Sequence, residues 1–187
     1  MDALIALHTR TSVNLLCQPG PSSEQLENIV KAGLRACDHR SLTPWKFLLI
    51  EGEARSKFGL LMAKAKEAAD QRPISPELKA KIQSKPMRAP TILVVVAAIK
   101  EDAKVPELEQ ILSAGAAAQM MMTAAYAQGV GAIWRSGSLM FTDEIGEGLG
   151  LRKNDKVVGF IYLGTPKITK PLPTHHVNDF LVRWTGE

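Results

Sequence analysis

The chain has 187 residues, of which 45% are hydrophobic and 22% charged, and it carries a net charge of +4, a composition typical of a globular protein. Only 5% of the residues are aromatic and the basic residues are scattered, which disfavours a nucleic-acid interface. Polar residues interrupt the most apolar stretch, 111–127, which argues against a membrane span.

The first part of the sequence predicts two helices before the first long strand. Residues 2–9 predict an amphipathic helix, and Ser22 with Gln25 three residues later predicts a capping box that starts a second helix. The apolar stripe of this second helix has helical spacing and consists of Leu26, Ile29, Val30, Leu34 and Cys37. The next predicted elements are a strand over 45–51, a helix over 53–71 and a short polar helix over 76–84.

The second part predicts a buried sheet. Residues 91–98 are apolar and rich in β-branched side chains, which is typical of a central strand covered on both faces. The predicted helix 107–128 is small or apolar all round in its middle, which favours a subunit interface. The remaining predicted elements are a strand over 131–135, a helix over 142–148 with Thr142 as N-cap, a strand over 157–163, and a tail over 164–187 that packs on a partner or on the sheet. This order predicts an α/β or α+β fold and argues against a doubly wound fold, which opens with a strand.

Two familiar kinds of site are disfavoured by the arrangement of the sequence. The glycines of "GVGAIWRSG", at 129–137, follow a helix and precede a strand. A dinucleotide fingerprint needs the opposite order, so that the phosphates meet a helix N-terminus. His175 and His176 have no carboxylate or cysteine at ligand spacing, and a zinc site is therefore not expected.

The run Cys37-Asp38-His39-Arg40 contains residue types that catalyse reactions or bind metals. Sequence neighbours on a helix point in different directions, whereas residues four apart share a face. We therefore expect Cys37 to turn inward as an inert thiol, and Arg35 and His39 to form a cationic ridge at the end of the second helix. The two cysteines form no CxxC pair and no signal peptide precedes them, which predicts reduced thiols in a cytoplasmic protein.

Three sets of cations and donors stand at predicted element boundaries. They are Arg10 with Ser12, Arg35 with His39, and Arg135 with Ser136. Arginine forks and hydroxyls suit a phosphate and a flat heterocycle with carbonyl oxygens. Each set taken alone also fits an ordinary surface loop, and Trp134 fits a core position. No nucleophile or general base stands out, so an enzyme of this sequence would rely on a cofactor.

At these residues the sequence resembles the nitroreductases, a family of FMN-dependent NAD(P)H oxidoreductases, and most of all their minimal bacterial members. Five stretches carry the resemblance in order: 1–12, 26–52, 88–98, 129–137 and 157–166. The resemblance implies an enzyme with one FMN-binding domain over 1–187. It also implies an α+β fold with a central, mostly antiparallel sheet, in an intertwined homodimer that holds two FMN molecules at its interface.

The resemblance also assigns roles to individual residues. It implies that Arg10, Thr11 and Ser12 bind the phosphate and ribityl end of FMN. Arg35 and His39 would reach the FMN of the other subunit, and Trp134, Arg135 and Ser136 would line the flavin. The stretch matched to pyridine-nucleotide binding consists of Ala124, Ala125, Tyr126, Ala127, Gln128 and Gly129. No side chain is expected to be catalytic and no metal is implied.

The sequence departs from the family pattern at three places. Thr11 stands where many relatives have a second arginine, and Ser41 and Thr43 stand where many have amides. The phosphate-binding cation that larger members supply near the C-terminus has three candidates here, which are Lys167, Lys170 and Arg135.

The resemblance implies that NADH or NADPH reduces FMN at N5 and that a nitroaromatic, quinone or similar acceptor then uses the same slot, in a ping-pong cycle. Two other hypotheses stay open from the sequence. One is a flavin storage or sensor protein without nicotinamide turnover. The other is an oligomerisation module built on the long helix, without flavin.

Overall fold

The chain forms six α-helices and one five-stranded sheet within residues 1–101 and 104–186, the part that this computed structural model describes. The helices are α1 (Ala3–Thr9), α2 (Ser23–Gly33), α3 (Ala54–Asp70), α4 (Pro76–Gln83), α5 (Glu107–Ala127) and α6 (Asp143–Gly148). The strands are β1 (Leu16–Cys17), β2 (Trp45–Glu51), β3 (Thr91–Ala97), β4 (Gly131–Arg135) and β5 (Lys156–Pro166).

Every strand pair in the sheet is antiparallel. Strand β3 lies between β2 and β5, and β5 also pairs with β4 and with the short β1. The register between β4 and β5 places Ile133 opposite Tyr162 and Arg135 opposite Phe160. An antiparallel sheet flanked by helices is the α+β architecture that the family resemblance implies, and the structure confirms it.

The core has two layers, one on each face of the sheet. Successive side chains of a strand point to opposite faces, and all seven residues of β3 are buried. Ile92, Val94 and Val96 pack into the layer that contains side chains of α3, α4 and α6. Leu93, Val95 and Ala97 pack into the layer formed with α2 and α5. The predicted central strand, covered on both faces, is therefore confirmed.

Helix starts follow the capping signals in the sequence. Asp2 Oδ1 accepts hydrogen bonds from the backbone of Leu4 at 2.9 Å and of Ile5 at 3.2 Å. Ser22 and Gln25 form the predicted capping box at the start of α2. Thr142 holds the predicted N-cap position of α6, but its hydroxyl donates to the Leu139 carbonyl at 2.8 Å and does not cap the helix.

Helix α5 and the tail are the two segments that the sequence predicts to meet a partner, with the sheet as the alternative for the tail, and contact with a partner stays a prediction. One face of α5, which includes Ala118 and Met121, is buried in the core of its own chain, while Leu108 and Leu112 are exposed. The tail does not pack on the sheet, because β5 ends at Pro166 and residues 171–186 are exposed. Within the described part of the chain, no helix is both long and apolar enough to cross a membrane.

Candidate functional site

The end of β4 places Arg135 against an aromatic ring. Arg135 and Ile133 lie on the face of the sheet that carries Tyr162, and the guanidinium carbon of Arg135 lies 5.4 Å from the centre of the Tyr162 ring. This distance is within the range of a cation–π interaction. Trp134 points to the opposite face, where it packs against the layer formed by α5. The residues that the family resemblance assigns to the flavin therefore lie at one strand end, but Trp134 and Arg135 do not share a face.

Two cavities adjoin at Arg135. One, of about 410 Å³, is lined by residues 133–140 together with side chains that include Lys85 and Arg88. The other, of about 360 Å³, is lined by Arg88, Arg135, Lys167 and residues 14–16. None of the described residues lining either cavity is acidic. We call the two together the basic cavity, defined by Lys85, Arg88, Arg135 and Lys167.

Burial and the cations of the basic cavity shift the pKa values of two groups that line it. Partial burial lowers the pKa of the Lys85 ammonium, and the positive charges of Arg88 and two further lysines lower it more. Burial raises the pKa of the Tyr162 hydroxyl, although the positive charges of Arg135 and Arg88 oppose the rise. Burial is the larger cause of both shifts, and the positive charges that contribute to them are ones that an anion in the cavity would offset.

Two arginines have buried nitrogen atoms without a partner. Among the described residues, Arg10 Nη1 and Arg135 Nε are buried and make no hydrogen bond. A buried donor without an acceptor costs about 1–3 kcal/mol, and more when it is charged. Phosphate oxygens are well suited to such donors, since guanidinium groups bind phosphate through two parallel hydrogen bonds.

Arg10 lines neither cavity, but the chain that follows it turns from α1 toward β4. Arg10 follows the last residue of α1, and its backbone N–H donates to Ala6 at 3.1 Å. Three residues later, the Val13 N–H donates to the carbonyl of Ala132 in β4 at 2.9 Å. The structure therefore places two of the predicted sets, at 10–12 and at 134–136, beside the same strand.

The predicted cationic ridge at the end of α2 is wrong as a helical face. Helix α2 ends at Gly33, and the Ala36 N–H closes a tight turn on the Gly33 carbonyl at 3.2 Å. Asp38 is extended, and its carboxylate accepts from the Thr43 N–H at 2.6 Å. Cys37 is exposed rather than inward-facing, because the helical stripe on which that prediction depended stops before it.

Arg35 and His39 are both exposed, and His39 lies at the far end of α5 from Arg10. His39 Nδ1 lies 2.6 Å from Glu109 Oε2, in the first turn of α5. Thr9, next to Arg10, hydrogen-bonds to Tyr126 in the last turn. At 1.5 Å per residue, these two contacts lie about 25 Å apart along α5. A single chain therefore does not bring the third predicted set together with the other two.

The comparisons with known proteins identify the family. A family model described as "Nitroreductase family" matches residues 8–165 of the chain. The chain belongs to the nitroreductase family. Membership makes it an oxidoreductase enzyme, as the sequence resemblance predicts. It is 46% identical to "Putative NAD(P)H nitroreductase YdjA" of Escherichia coli K12, over 96% of this chain and all of the relative. It is 39% identical to "Putative NAD(P)H nitroreductase" of Haemophilus influenzae, over 88% of this chain and 89% of the relative.

Solved structures share the nitroreductase fold. A protein described as nitroreductase-like from Bacillus cereus superposes with a TM-score of 0.83 at 20% identity, covering 100% of this chain and 97% of the other. A nitroreductase from Desulfovibrio desulfuricans, described as a complex with FMN, superposes with a TM-score of 0.73 at 22% identity, covering 98% and 97%. At these identities the likeness concerns the fold.

In this nitroreductase, the stretch matched to pyridine-nucleotide binding is engaged within the chain. Ala125 is buried, and the Tyr126 hydroxyl donates to Thr9 Oγ1 at 3.0 Å. Gln128 Nε2 donates to the carbonyls of Gln25 at 3.3 Å and Ala124 at 3.0 Å. The polar side chains of this segment thus fasten α5 to α1 and α2, and its nucleotide-binding role stays a prediction.

Sequence reasoning missed Lys85 and Arg88. Both lie in a short 3₁₀ helix, Lys85–Arg88, just before β3. The one available signal was a pair of basic residues directly before the central strand. Nothing in the sequence shows that this strand start lies near β4, because the two strands are both paired to β5 and not to each other. Of the three candidates for the phosphate-binding cation near the C-terminus, Lys167 and Arg135 line the basic cavity.

Proposed function

We propose that this nitroreductase is an FMN-dependent NAD(P)H oxidoreductase in which residues 1–187 form one FMN-binding domain of a cytoplasmic homodimer. The observation that carries the proposal is the pair of buried, unpartnered guanidinium nitrogens of Arg10 and Arg135 beside β4. The names of the 46% and 39% identical relatives, which specify NAD(P)H, and the FMN complex of a protein of the same fold support the choice of nucleotide and flavin.

In this proposal the residues of the site fit the phosphate end of FMN. Arg10 and Arg135 donate to phosphate oxygens, which satisfies their buried nitrogens. The hydroxyls of Thr11, Ser12 and Ser136 lie next to these arginines in the sequence and complete the donor set. Lys167 adds a further positive charge to the lining of the basic cavity, beside Arg135. Trp134 belongs with the flavin ring, as the sequence resemblance implies.

A homodimer accounts for the distance between the predicted FMN-binding residues at the two ends of α5. His39 lies far from Arg10 in its own chain, and Arg35 is exposed in the segment that leads to it, so we assign both to the FMN held mainly by the partner chain. Large apolar side chains are exposed on three elements, as expected of a surface that another subunit covers: Leu4, Ile5 and Leu7 on α1, Leu108, Leu112 and Met120 on α5, and Phe180, Leu181, Val182 and Trp184 in the tail.

The chemistry divides between the cofactor and the chain. When bound, FMN would supply hydride transfer at N5 between NAD(P)H and a nitroaromatic, quinone or similar acceptor, in a ping-pong cycle. The chain positions the reactants and supplies the positive electrostatic potential of the basic cavity. Lys85 and Arg88 lower the free energy of negative charge held in the basic cavity. The segment from Ala124 to Gly129 remains our assignment for the pyridine nucleotide.

Visible spectroscopy and anaerobic reduction test this function. We expect the purified protein to show a flavin absorption band, and NADH or NADPH to bleach it in the absence of oxygen. A protein that binds FMN but is not bleached by either nucleotide would be a storage or sensor protein. A protein with no flavin band that gains none when FMN is added would be a non-flavin oligomerisation module.

The arginine assignment has its own test. We expect Arg10→Ala to raise the Kd for FMN by about 10- to 100-fold, because a hydrogen bond to a charged group contributes about 1.5–3 kcal/mol. Fluorescence titration of the apoprotein with FMN measures this, and Arg72→Ala, in the loop between α3 and α4, is the matched control. An unchanged Kd in Arg10→Ala would remove Arg10 from the phosphate site.

A further inference from the structure

Helix α1 buries little of its surface within its own chain. It has seven residues, and Ala6 is its only buried residue, while its large apolar side chains are exposed. So short a helix is marginal without tertiary support. Its C-terminal end is supported by the Thr9 hydroxyl, which lies 3.0 Å from the Tyr126 hydroxyl of α5.

The direction of these hydrogen bonds is fixed by the donors available. The Thr9 hydroxyl has a single proton, and it donates that proton to the Ile5 carbonyl at 2.6 Å. Thr9 Oγ1 must therefore accept from Tyr126, whose phenolic O–H is the donor. The result is a chain of hydrogen bonds from α5 through Thr9 into the last turn of α1.

Arg10 comes directly after this chain of hydrogen bonds. The backbone leaves the helical conformation at Arg10, where ψ is 127°, and it is anchored again at Val13, whose N–H donates to Ala132 at 2.9 Å. Arg10 thus lies between one anchor on α5 and another on β4. Its Nη1 is buried and has no partner in the described chain, so its contact with a ligand depends on where these anchors hold the backbone.

We infer that Tyr126 is a positioning residue for Arg10, acting through Thr9, and that its hydroxyl therefore governs affinity for FMN. This inference rests on the proposed function, in which Arg10 binds the FMN phosphate. It gives Tyr126 a role different from the pyridine-nucleotide contact that the sequence resemblance implies. The hydroxyl that would meet a nucleotide is already engaged with Thr9.

The test compares FMN binding in variants that remove one hydroxyl at a time. We expect Tyr126→Phe and Thr9→Val each to raise the Kd for FMN by about 3- to 10-fold, the loss typical of one hydrogen bond. Thr9→Ser keeps the hydroxyl and is expected to bind FMN within about twofold of the wild type. The Kd is measured by fluorescence titration of the apoprotein, and the KM for NADH is measured at saturating FMN. We expect the KM to change less than the Kd.

Two further variants separate positioning from general loosening of α1. Asp2→Ala removes the side-chain cap at the opposite end of the helix, and it should leave the Kd for FMN closer to the wild-type value than Tyr126→Phe does. In the Arg10→Ala background, Tyr126→Phe should have no further effect, because the residue that it positions is gone.

Each contrary result has a distinct meaning. An effect of Asp2→Ala as large as that of Tyr126→Phe would overturn the inference, since fraying of α1 would then explain both. A rise in the KM for NADH with an unchanged Kd for FMN would also overturn it and return Tyr126 to the pyridine nucleotide. If Arg10→Ala itself left the Kd unchanged, the phosphate assignment in the proposed function would fail, and the inference would fail with it.

Discussion

Replacing Gly159 by alanine would force a methyl group into the indole ring of Trp134. An ideal Cβ at Gly159 lies 2.7 Å from Cδ1 and 2.9 Å from Cε2 of Trp134, and closer still to Nε1. Nonbonded carbon atoms pack at about 3.5–4.0 Å, so the rigid ring would have to move by about 1 Å or more. On its far side, Cη2 of the ring lies 3.9 Å from where a Cβ on Gly115 of α5 would be. Because Gly115 carries no side chain, a ring pushed in that direction would move toward the backbone of α5.

We expect Gly159→Ala to lower the free energy of unfolding by about 3 kcal/mol, at the upper end of the usual cost of overpacking a core. It should also weaken FMN binding, because a displaced Trp134 moves the strand end that carries Arg135. Urea denaturation of the apoprotein gives the first quantity and fluorescence titration the second. The matched control is Gly146→Ala in α6, where a Cβ meets nothing within 4 Å and where alanine is expected to stabilise the helix by about 0.5–1 kcal/mol.

A double-mutant cycle identifies the clash as the cause. Trp134→Phe shortens the ring system, so Gly159→Ala should cost less in that background than in the wild type. The reasoning would be refuted if Gly159→Ala changed the free energy of unfolding by less than about 0.5 kcal/mol, the usual range for substitutions away from special features. It would equally be refuted if the cost were the same with phenylalanine at position 134.

Two further predictions concern the charges of the basic cavity. Burial raises the pKa of Tyr162, so the unfolded chain loses the Tyr162 proton first as pH rises, and this residue's contribution to stability is present below about pH 10 and declines above it. In urea titrations from pH 8 to 11, the free energy of unfolding of Tyr162→Phe should therefore fall less steeply with pH than that of the wild type. Parallel curves for the two proteins would contradict this. Lys85 is partly buried beside other cations, which lowers its pKa. Lys85→Met should therefore raise the urea midpoint of the apoprotein, and it should also weaken FMN binding. Lys57→Met, on α3, is the control. A lower urea midpoint for Lys85→Met would show that the charge of Lys85 does not destabilise the apoprotein.

The sequence predicts most of the fold because its signals are local. The capping box of Ser22 and Gln25 and the unbroken apolar run of β3 each specify an element without reference to the rest of the chain. The end of α2 was harder to predict, since apolar residues at helical spacing continue to Leu34 and Cys37 while the backbone has already turned after Gly33. Strand β1, with two residues, is too short to show any periodicity.

The candidate site was predictable only in part, for a different reason. Residues 10–12 and 134–136 carry their own signals, an arginine and a hydroxyl at an element boundary. Lys85 and Arg88 carry no such signal, and only the pairing of β3 and β4 with β5 brings them to the same cavity. Partners that depend on strand order cannot be deduced from spacing along one sequence.

Strand β5 has a consequence for how the chain is made. It pairs with β1, β3 and β4, and the pair between Leu16 and Pro166 spans almost the entire protein. During synthesis, β2 and β3 can pair early, but the sheet cannot close until the ribosome has released residues 156–166. Until then β3 presents a long, apolar, unpaired edge of the kind that promotes aggregation. Formation of the site is therefore among the last steps of folding, since Tyr162 beneath Arg135 belongs to that late strand. Folding dominated by such distant contacts is expected to be slow, and chains truncated before β5 should be found in aggregates.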